Sequence, residues 1–152
     1  MIKILFICHG NICRSPMAEF VMKDLVHKEG LNDYFYIESS AVSREEIGNP
    51  VYPPVRRLLN DLGIDCSDKK GRVMTKEDYQ KFDYIIAMDE SNLYGIRRIV
   101  GEDTEHKVHL LLEYTKENRD VRDPWYTRNF DETYHDVQNG CTALLSLLKQ
   151  EI

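Results

Sequence analysis

Four short apolar runs rich in β-forming residues alternate along this chain with segments patterned as helices, and that alternation leaves few folds open. The runs are IKILFIC (2–8), YFYIES (34–39), FDYIIAM (82–88) and HKVHLLL (106–112). The first is apolar without interruption, the pattern of a strand covered on both faces. A helix is predicted over 15–29, with Met17, Val21 and Leu25 and then Ala18, Met22 and Val26 at helical spacing. Ser15 is its candidate N-cap, Pro16 its first helical residue and Gly30 its stop. Further helices are predicted over 53–63, with Val55, Leu58, Leu59 and Leu62 on one face, and from Asp89 to about Val100. A last one over 129–150 turns Val137, Cys141, Leu144, Leu145 and Leu148 inward, despite Gly140. Strands separated by helices imply βαβ units, hence an α/β fold with a parallel sheet covered on both faces. The chain of 152 residues shows no repeat or linker and is expected to form one domain, 1–152.

Ligands of such sheets bind beyond the carboxyl ends of the strands. There the chain reads CHGNICRSP (8–16), a strand end, a loop and the start of a helix. Gly10 and Asn11 tolerate positive φ, so successive backbone N–H groups of His9, Gly10, Asn11, Ile12 and Cys13 can line one cup. The following helix adds its unpaired N–H groups and positive end. Arg14 adds a planar, permanently charged fork that holds two oxygens of a tetrahedral oxyanion. All of this suits a phosphate. Cys8 enters the same cup, and thiols beside convergent amides, a helix start and an arginine gain thiolate character. Cradle and nucleophile together suit displacement at phosphorus. An isolated cysteine is usually a small buried apolar residue, and an isolated arginine a solvated charge. The full C-x5-R-S-P pattern between strand and helix is hard to explain that way. No GxGxxG and no Gly-Lys-Ser/Thr is present to hold a nucleotide.

A leaving alkoxide or phenolate needs a proton, which calls for a general acid elsewhere. In RDPWY (122–126), Asp123 precedes a proline that holds it in extended backbone, and Trp125 and Tyr126 follow as walls for a flat substrate. An Asp-Pro pair alone is more often a turn initiator; beside a phosphate loop carrying a thiol the acid role is preferred. Net charge −6 argues against nucleic-acid partners, which call for a basic footprint. No apolar stretch approaches the roughly 20 residues that span a bilayer, so no membrane insertion is expected. MIKILFIC is too short for a secretory leader, and four irregularly spaced cysteines fit a reducing, cytoplasmic setting.

CHGNICRSP together with DPWY resembles the low-molecular-weight protein tyrosine phosphatases, whose pattern is an N-terminal C-x5-R-S loop and a distant Asp-Pro-aromatic-aromatic loop. SS with EIGNP (39–50), TKEDYQKFDYIIAMDESNL (75–93) and DETYHDV (131–137) extend the resemblance along the whole chain. It implies a three-layer sandwich, a four-stranded parallel sheet flanked by helices in the Rossmann-like phosphotyrosine phosphatase I fold. It also implies a two-step hydrolysis through phosphocysteine with no metal and no cofactor. Tyrosine-phosphorylated proteins would be the partners, inorganic phosphate the product, and the chain a monomer or weak dimer. Carried over, Cys8 is the nucleophile, Arg14 binds phosphate, Ser15 hydrogen-bonds the thiolate, and Asp123 protonates the phenolate and then activates water. Asn11, with Ser39 behind it, would hold the loop in shape.

The chain departs from that pattern at several positions. His9 stands at the rim where the family usually has an uncharged residue; as a cation it would favour dianions, and otherwise it is a solvated rim residue. Glu45 replaces an aromatic wall across from the Asp123 loop, and CSDKKGRVM (66–74) lacks a histidine that often supports the loop asparagine. The slot would be lined by Ile12, Glu45, Trp125 and Tyr126. Ile12 replaces the threonine of similar protein arginine phosphatases, and the second aromatic is kept, so phosphotyrosine fits better than phosphoarginine. Arsenate reductases of similar fold need further cysteines where this chain has Ala87 and Met88. A non-catalytic phosphotyrosine-binding module would need neither Cys8 nor Asp123. Cys13 either bridges an oxidised Cys8 or only packs against the sheet.

Overall fold

The computed structural model describes residues 1–152. Four strands, β1 (Ile2–Cys8), β2 (Phe35–Ala41), β3 (Tyr84–Ala87) and β4 (Val108–Leu110), form one sheet in the order β2-β1-β3-β4. All neighbours are parallel. The helices are α1 (Arg14–Lys28), α2 (Pro53–Asp61), α3 (Lys76–Lys81), α4 (Glu90–Val100), the single turn α5 (Pro124–Thr127) and α6 (Phe130–Leu148).

β1 is central, and its alternate residues serve two cores. Ile2, Ile4, Phe6 and Cys8 join the larger cluster with Met17, Met22, Val137, Cys141 and Leu144 of α1 and α6. Leu5 and Ile7 join a smaller one on the other face with Tyr79, Phe82, Ile85 and Ile96. That division is why the run is continuously apolar rather than alternating. The chain leaves β1 toward β2 and later returns past it to β3, so the topological switch lies between β1 and β3. Cys8 ends β1, and Asp89 lies two residues beyond the end of β3.

Several expectations need correction. Ser15 does not cap α1: the helix starts at Arg14, its N-cap Cys13 makes no side-chain cap, and the Ser15 hydroxyl is engaged elsewhere. Pro16 is therefore the third helical residue, still within the first turn, where a missing N–H costs nothing. Leu62 lies beyond α2 and is exposed, because the helix ends at Asp61 and Gly63 turns the chain at φ +77°. β2 begins at Phe35, since Tyr34 closes a 3-10 turn, and it runs on to Ala41. β3 is shorter than expected because Phe82 belongs to the end of α3, a helix that the periodicity does not reveal. Six residues are too few for an apolar stripe, and the helix is set by the Thr75–Asp78 capping box. β4 stops at Leu110, and the expected strand gives way to a 3-10 turn, Leu111–Tyr114.

That turn explains Gly140 in the middle of α6. A Cβ there would lie 2.4 Å from Leu111 Cγ, so the glycine lets the buried leucine seat against the helix. Gly140→Ala gains about 1 kcal/mol of helix propensity but forces overpacking of about 1–3 kcal/mol. The expected net result is a Tm lower by a few degrees in calorimetry (~2–4 °C per kcal/mol at this size), with the fold retained.

Candidate active site

The loop between β1 and α1 is anchored from its outer side. The carbonyls of Cys8, His9 and Ile12 accept the N–H groups of Val42, Ser43 and Tyr52. The N–H groups of His9, Gly10, Asn11, Ile12 and Cys13, by contrast, donate to no acceptor in the protein. Asn11 takes φ 60°, the left-handed conformation that lets consecutive amides converge. Polar backbone left free in an otherwise pinned loop is the arrangement of an anion cradle. Cys8, His9, Gly10, Ile12, Cys13 and Arg14 line a cavity of about 400–450 Å³, closed on its other sides by Glu45, Glu46, Asp123, Trp125 and Tyr126.

Cys8 is buried to 3% exposure, with Sγ 3.0 Å from Ser15 Oγ. Asn11 Nδ2 donates to Ser15 Oγ at 2.8 Å and to Ser39 Oγ at 3.0 Å, so both its amide hydrogens are committed. Asn11 Oδ1 accepts the Arg72 N–H, and Ser39 Oγ donates to Glu19 at 2.5 Å. With Asn11 donating to it, the Ser15 hydroxyl hydrogen is left for Cys8 Sγ or, at 3.4 Å, for the Ser40 carbonyl. The support that a histidine would provide in 66–74 comes instead from Glu19 and the Arg72 backbone, neither of which the sequence reading singled out.

Arg14 is 2% exposed and held at three points. It donates to Asp89 Oδ2 at 2.6 Å and to the Val121 carbonyl at 2.9 Å, and a second guanidinium nitrogen lies 3.5 Å from Asp123 Oδ2. Burial opposes its charge, but Cys8 and Asp89 outweigh burial and raise the guanidinium further. Burial likewise works against the Asp89 carboxylate, yet Arg14 and the hydrogen bonds from Ser91 and the Asn92 backbone hold it below the usual range. Asp89 was missed as a site residue. Its signal was its place at the end of β3, at the head of a capped helix across the switch from Cys8.

Asp123 is extended, as the following proline requires, and caps α5 through Oδ1 and the Trp125 N–H. Oδ2 is left toward Arg14 and the cavity. Trp125 packs on Tyr52 at 5.2 Å between ring centroids, and Tyr52 stacks on Phe130 at 6.0 Å. The Arg128 guanidinium lies within 5.9 Å of all three rings, bracing the loop from behind. Tyr126 reaches the cavity edge and is otherwise exposed. On the opposite rim His9 Nε2 pairs with Glu45 Oε2 at 3.2 Å, both exposed, so that wall is polar where the other is aromatic. Cys13 is buried, and burial, with Cys8 and Asp123 adding to it, pushes its thiol up. No group of three or more His, Cys, Asp or Glu side chains is arranged to hold a metal ion.

Comparison with known proteins agrees with this geometry. Residues 3–152 match the family model for low molecular weight phosphotyrosine protein phosphatase. The low molecular weight protein-tyrosine-phosphatase YfkJ of Bacillus subtilis is 38% identical over 99% of this chain and 98% of its own. Its crystal structure superposes with a TM-score of 0.95 over 99% of this chain and 96% of that one. The chicken (Gallus gallus) low molecular weight phosphotyrosine protein phosphatase is 39% identical, covering 93% of this chain and 92% of its own. The crystal structure of DARP, a Drosophila arginine phosphatase, aligns at 33% identity and TM-score 0.88, covering 97% of this chain and 98% of that one. With the loop, the buried arginine and the Asp-Pro turn in these positions, the chain belongs to the low molecular weight phosphotyrosine protein phosphatase family.

Proposed function

We propose that this protein, acting as one domain, hydrolyses phosphotyrosine in proteins through a phosphocysteine on Cys8. The observation that carries the reading is the run of free amides from His9 to Cys13 around a thiol, with Arg14 and Asp123 at its edge. The amides and Arg14 take the three non-bridging phosphate oxygens. Cys8 Sγ attacks phosphorus, the bond to the phenolic oxygen breaks, and Asp123 delivers its proton to that oxygen. Asp123, now a carboxylate, takes a proton from water as the water attacks phosphorus. The S–P bond breaks, the Ser15 hydroxyl donates to the departing thiolate, and inorganic phosphate leaves. The partners are tyrosine-phosphorylated proteins in a cytoplasmic setting, and the chain acts as a monomer or weak dimer. No helix is long and apolar enough to cross a membrane.

Likeness to an arginine phosphatase keeps one alternative substrate in view. The apolar floor at Ile12 and the Trp125 wall favour a flat aryl group over a guanidinium. The test is release of p-nitrophenol and phosphate from p-nitrophenyl phosphate, followed by phosphotyrosine and phosphoarginine peptides side by side. Turnover that favours phosphotyrosine is expected. Preference for phosphoarginine would overturn the substrate, and binding without turnover would leave a recognition module.

Oxidation offers a further prediction. Peroxide entering the cavity that Cys8 and Cys13 both line would oxidise the Cys8 sulfur to sulfenic acid, and condensation with the Cys13 thiol releases water and leaves a disulfide. Activity lost to mild peroxide is expected to return with dithiothreitol in the wild type and to return far less in Cys13→Ser. Equal recovery in both, with no Cys8–Cys13 peptide by mass spectrometry, would leave Cys13 as a packing residue.

A further inference from the structure

The phosphate loop is held by a line of hydrogen bonds that runs inward from Cys8 through Ser15, Asn11 and Ser39 to Glu19. Its direction is set by its far end, because a carboxylate accepts and never donates. Ser39 gives its hydrogen to Glu19 and therefore receives from Asn11, whose other hydrogen goes to Ser15. What holds that end in place is a lysine from the loop after α2. Lys69 Nζ donates to the Ser39 carbonyl at 2.8 Å and lies 3.3 Å from Glu19 Oε1, the oxygen that takes the Ser39 hydroxyl. Its side chain is 12% exposed.

A second lysine meets the same carboxylate, and the two differ. Lys23, one turn further along α1, pairs with Oε2 at 2.6 Å from the surface and touches neither Ser39 nor Asn11. Lys69 alone touches both members of the Ser39–Glu19 pair. Burial pulls its ammonium below the usual lysine range against the pull of Glu19. A partly buried lysine that pays for desolvation in this way is poor evidence for stability. Its place is better explained by what it fixes.

We propose that Lys69 is a positioning residue for phosphoryl transfer, clamping Ser39 to Glu19 so that Asn11 holds the Ser15 hydroxyl on Cys8. The Ser40 carbonyl, 3.4 Å from Ser15 Oγ, is the competing acceptor that the clamp keeps Ser15 from taking. Loss of the clamp lets the Ser39 and Asn11 side chains relax and the Ser15 hydroxyl turn to Ser40, while the carbonyls of Cys8, His9 and Ile12 keep the loop backbone pinned. Phosphate itself is held by the loop amides and Arg14, which Lys69 does not touch. The proposal rests on Cys8 as nucleophile, and its signature is therefore a fall in kcat with phosphate affinity retained.

The test compares Lys69→Met, Lys69→Gln and Lys69→Arg with the wild type on p-nitrophenyl phosphate, with inorganic phosphate as competitive inhibitor and Tm measured alongside. For Met and Gln, kcat is expected to fall about tenfold, the scale of one weakened hydrogen bond in the transition state, with the phosphate inhibition constant within about twofold. Lys69→Arg is expected to recover most of the loss. Glu19→Gln should be similarly slow, and Glu19→Gln with Lys69→Met no slower than Glu19→Gln alone, since both act through one contact. Unchanged kcat in a folded Lys69→Met or Lys69→Gln, parallel loss of phosphate affinity, or additive effects with Glu19→Gln would each overturn the positioning role. An inactive wild type would instead refute the phosphatase reading itself.

Discussion

Cys8→Ser is expected to abolish turnover while the protein still binds phosphate or vanadate. The loss should be on the order of 10⁶-fold, the scale on which removal of an enzyme's nucleophile registers. A serine hydroxyl at this position has no base beside it: the neighbours of Cys8 Sγ are the Ser15 hydroxyl and the cradle. The free amides of the loop and the three-point hold on Arg14 do not depend on sulfur, so the oxyanion site survives. Isothermal titration with phosphate checks the second half of the expectation. Residual catalysis in a preparation free of contaminating phosphatase would rule out the covalent route.

Asp123→Asn should slow hydrolysis of aryl phosphates with poor leaving groups by roughly 10²–10⁴, the usual span for a positioned acid. The loss should shrink as the leaving group becomes more acidic, because an activated phenolate departs without a proton. Asparagine keeps the cap, since its side-chain oxygen can still accept the Trp125 N–H, so the turn is preserved while the proton is lost. A series of substituted phenyl phosphates reads the slope. Equal loss across the series would assign Asp123 to the turn alone.

The parts of this site that were legible beforehand are the parts carried by short stretches of chain. CHGNICRSP holds its thiol, amides and arginine within one strand–loop–helix passage, and the strand is recognisable because both its faces are buried. Asp123 was readable because proline restricts the residue before it. Asp89 and the Val121 carbonyl were not, because they reach Arg14 across 75 and 107 residues and only the sheet order brings them there. The capping role read for Ser15 fails for a different reason, although its expected contact with Cys8 is present. A serine at a helix start can cap the helix or serve a neighbour, and the nearby thiol and asparagine decided which. Glu19 resembled an ordinary polar position on α1, and nothing local shows that Ser39 and Lys69 enclose it.

The three-point hold on Arg14 also ties catalysis to the order in which the chain folds. Its partners come from the connection after β3 and from the segment between β4 and α5, so the guanidinium has no fixed place until both distant pieces have docked. Closing loops of that length is entropically costly, and parallel sheets assemble slowly for this reason. Enzymatic rate regained during renaturation therefore cannot run ahead of the last long-range docking event, even if β1 and α1 form early. A truncated chain ending before residue 121 would keep the thiol, its amides and Asp89, yet lack the Val121 and Asp123 anchors of the arginine. For this protein a colorimetric phosphate assay doubles as a clock for completion of the native topology.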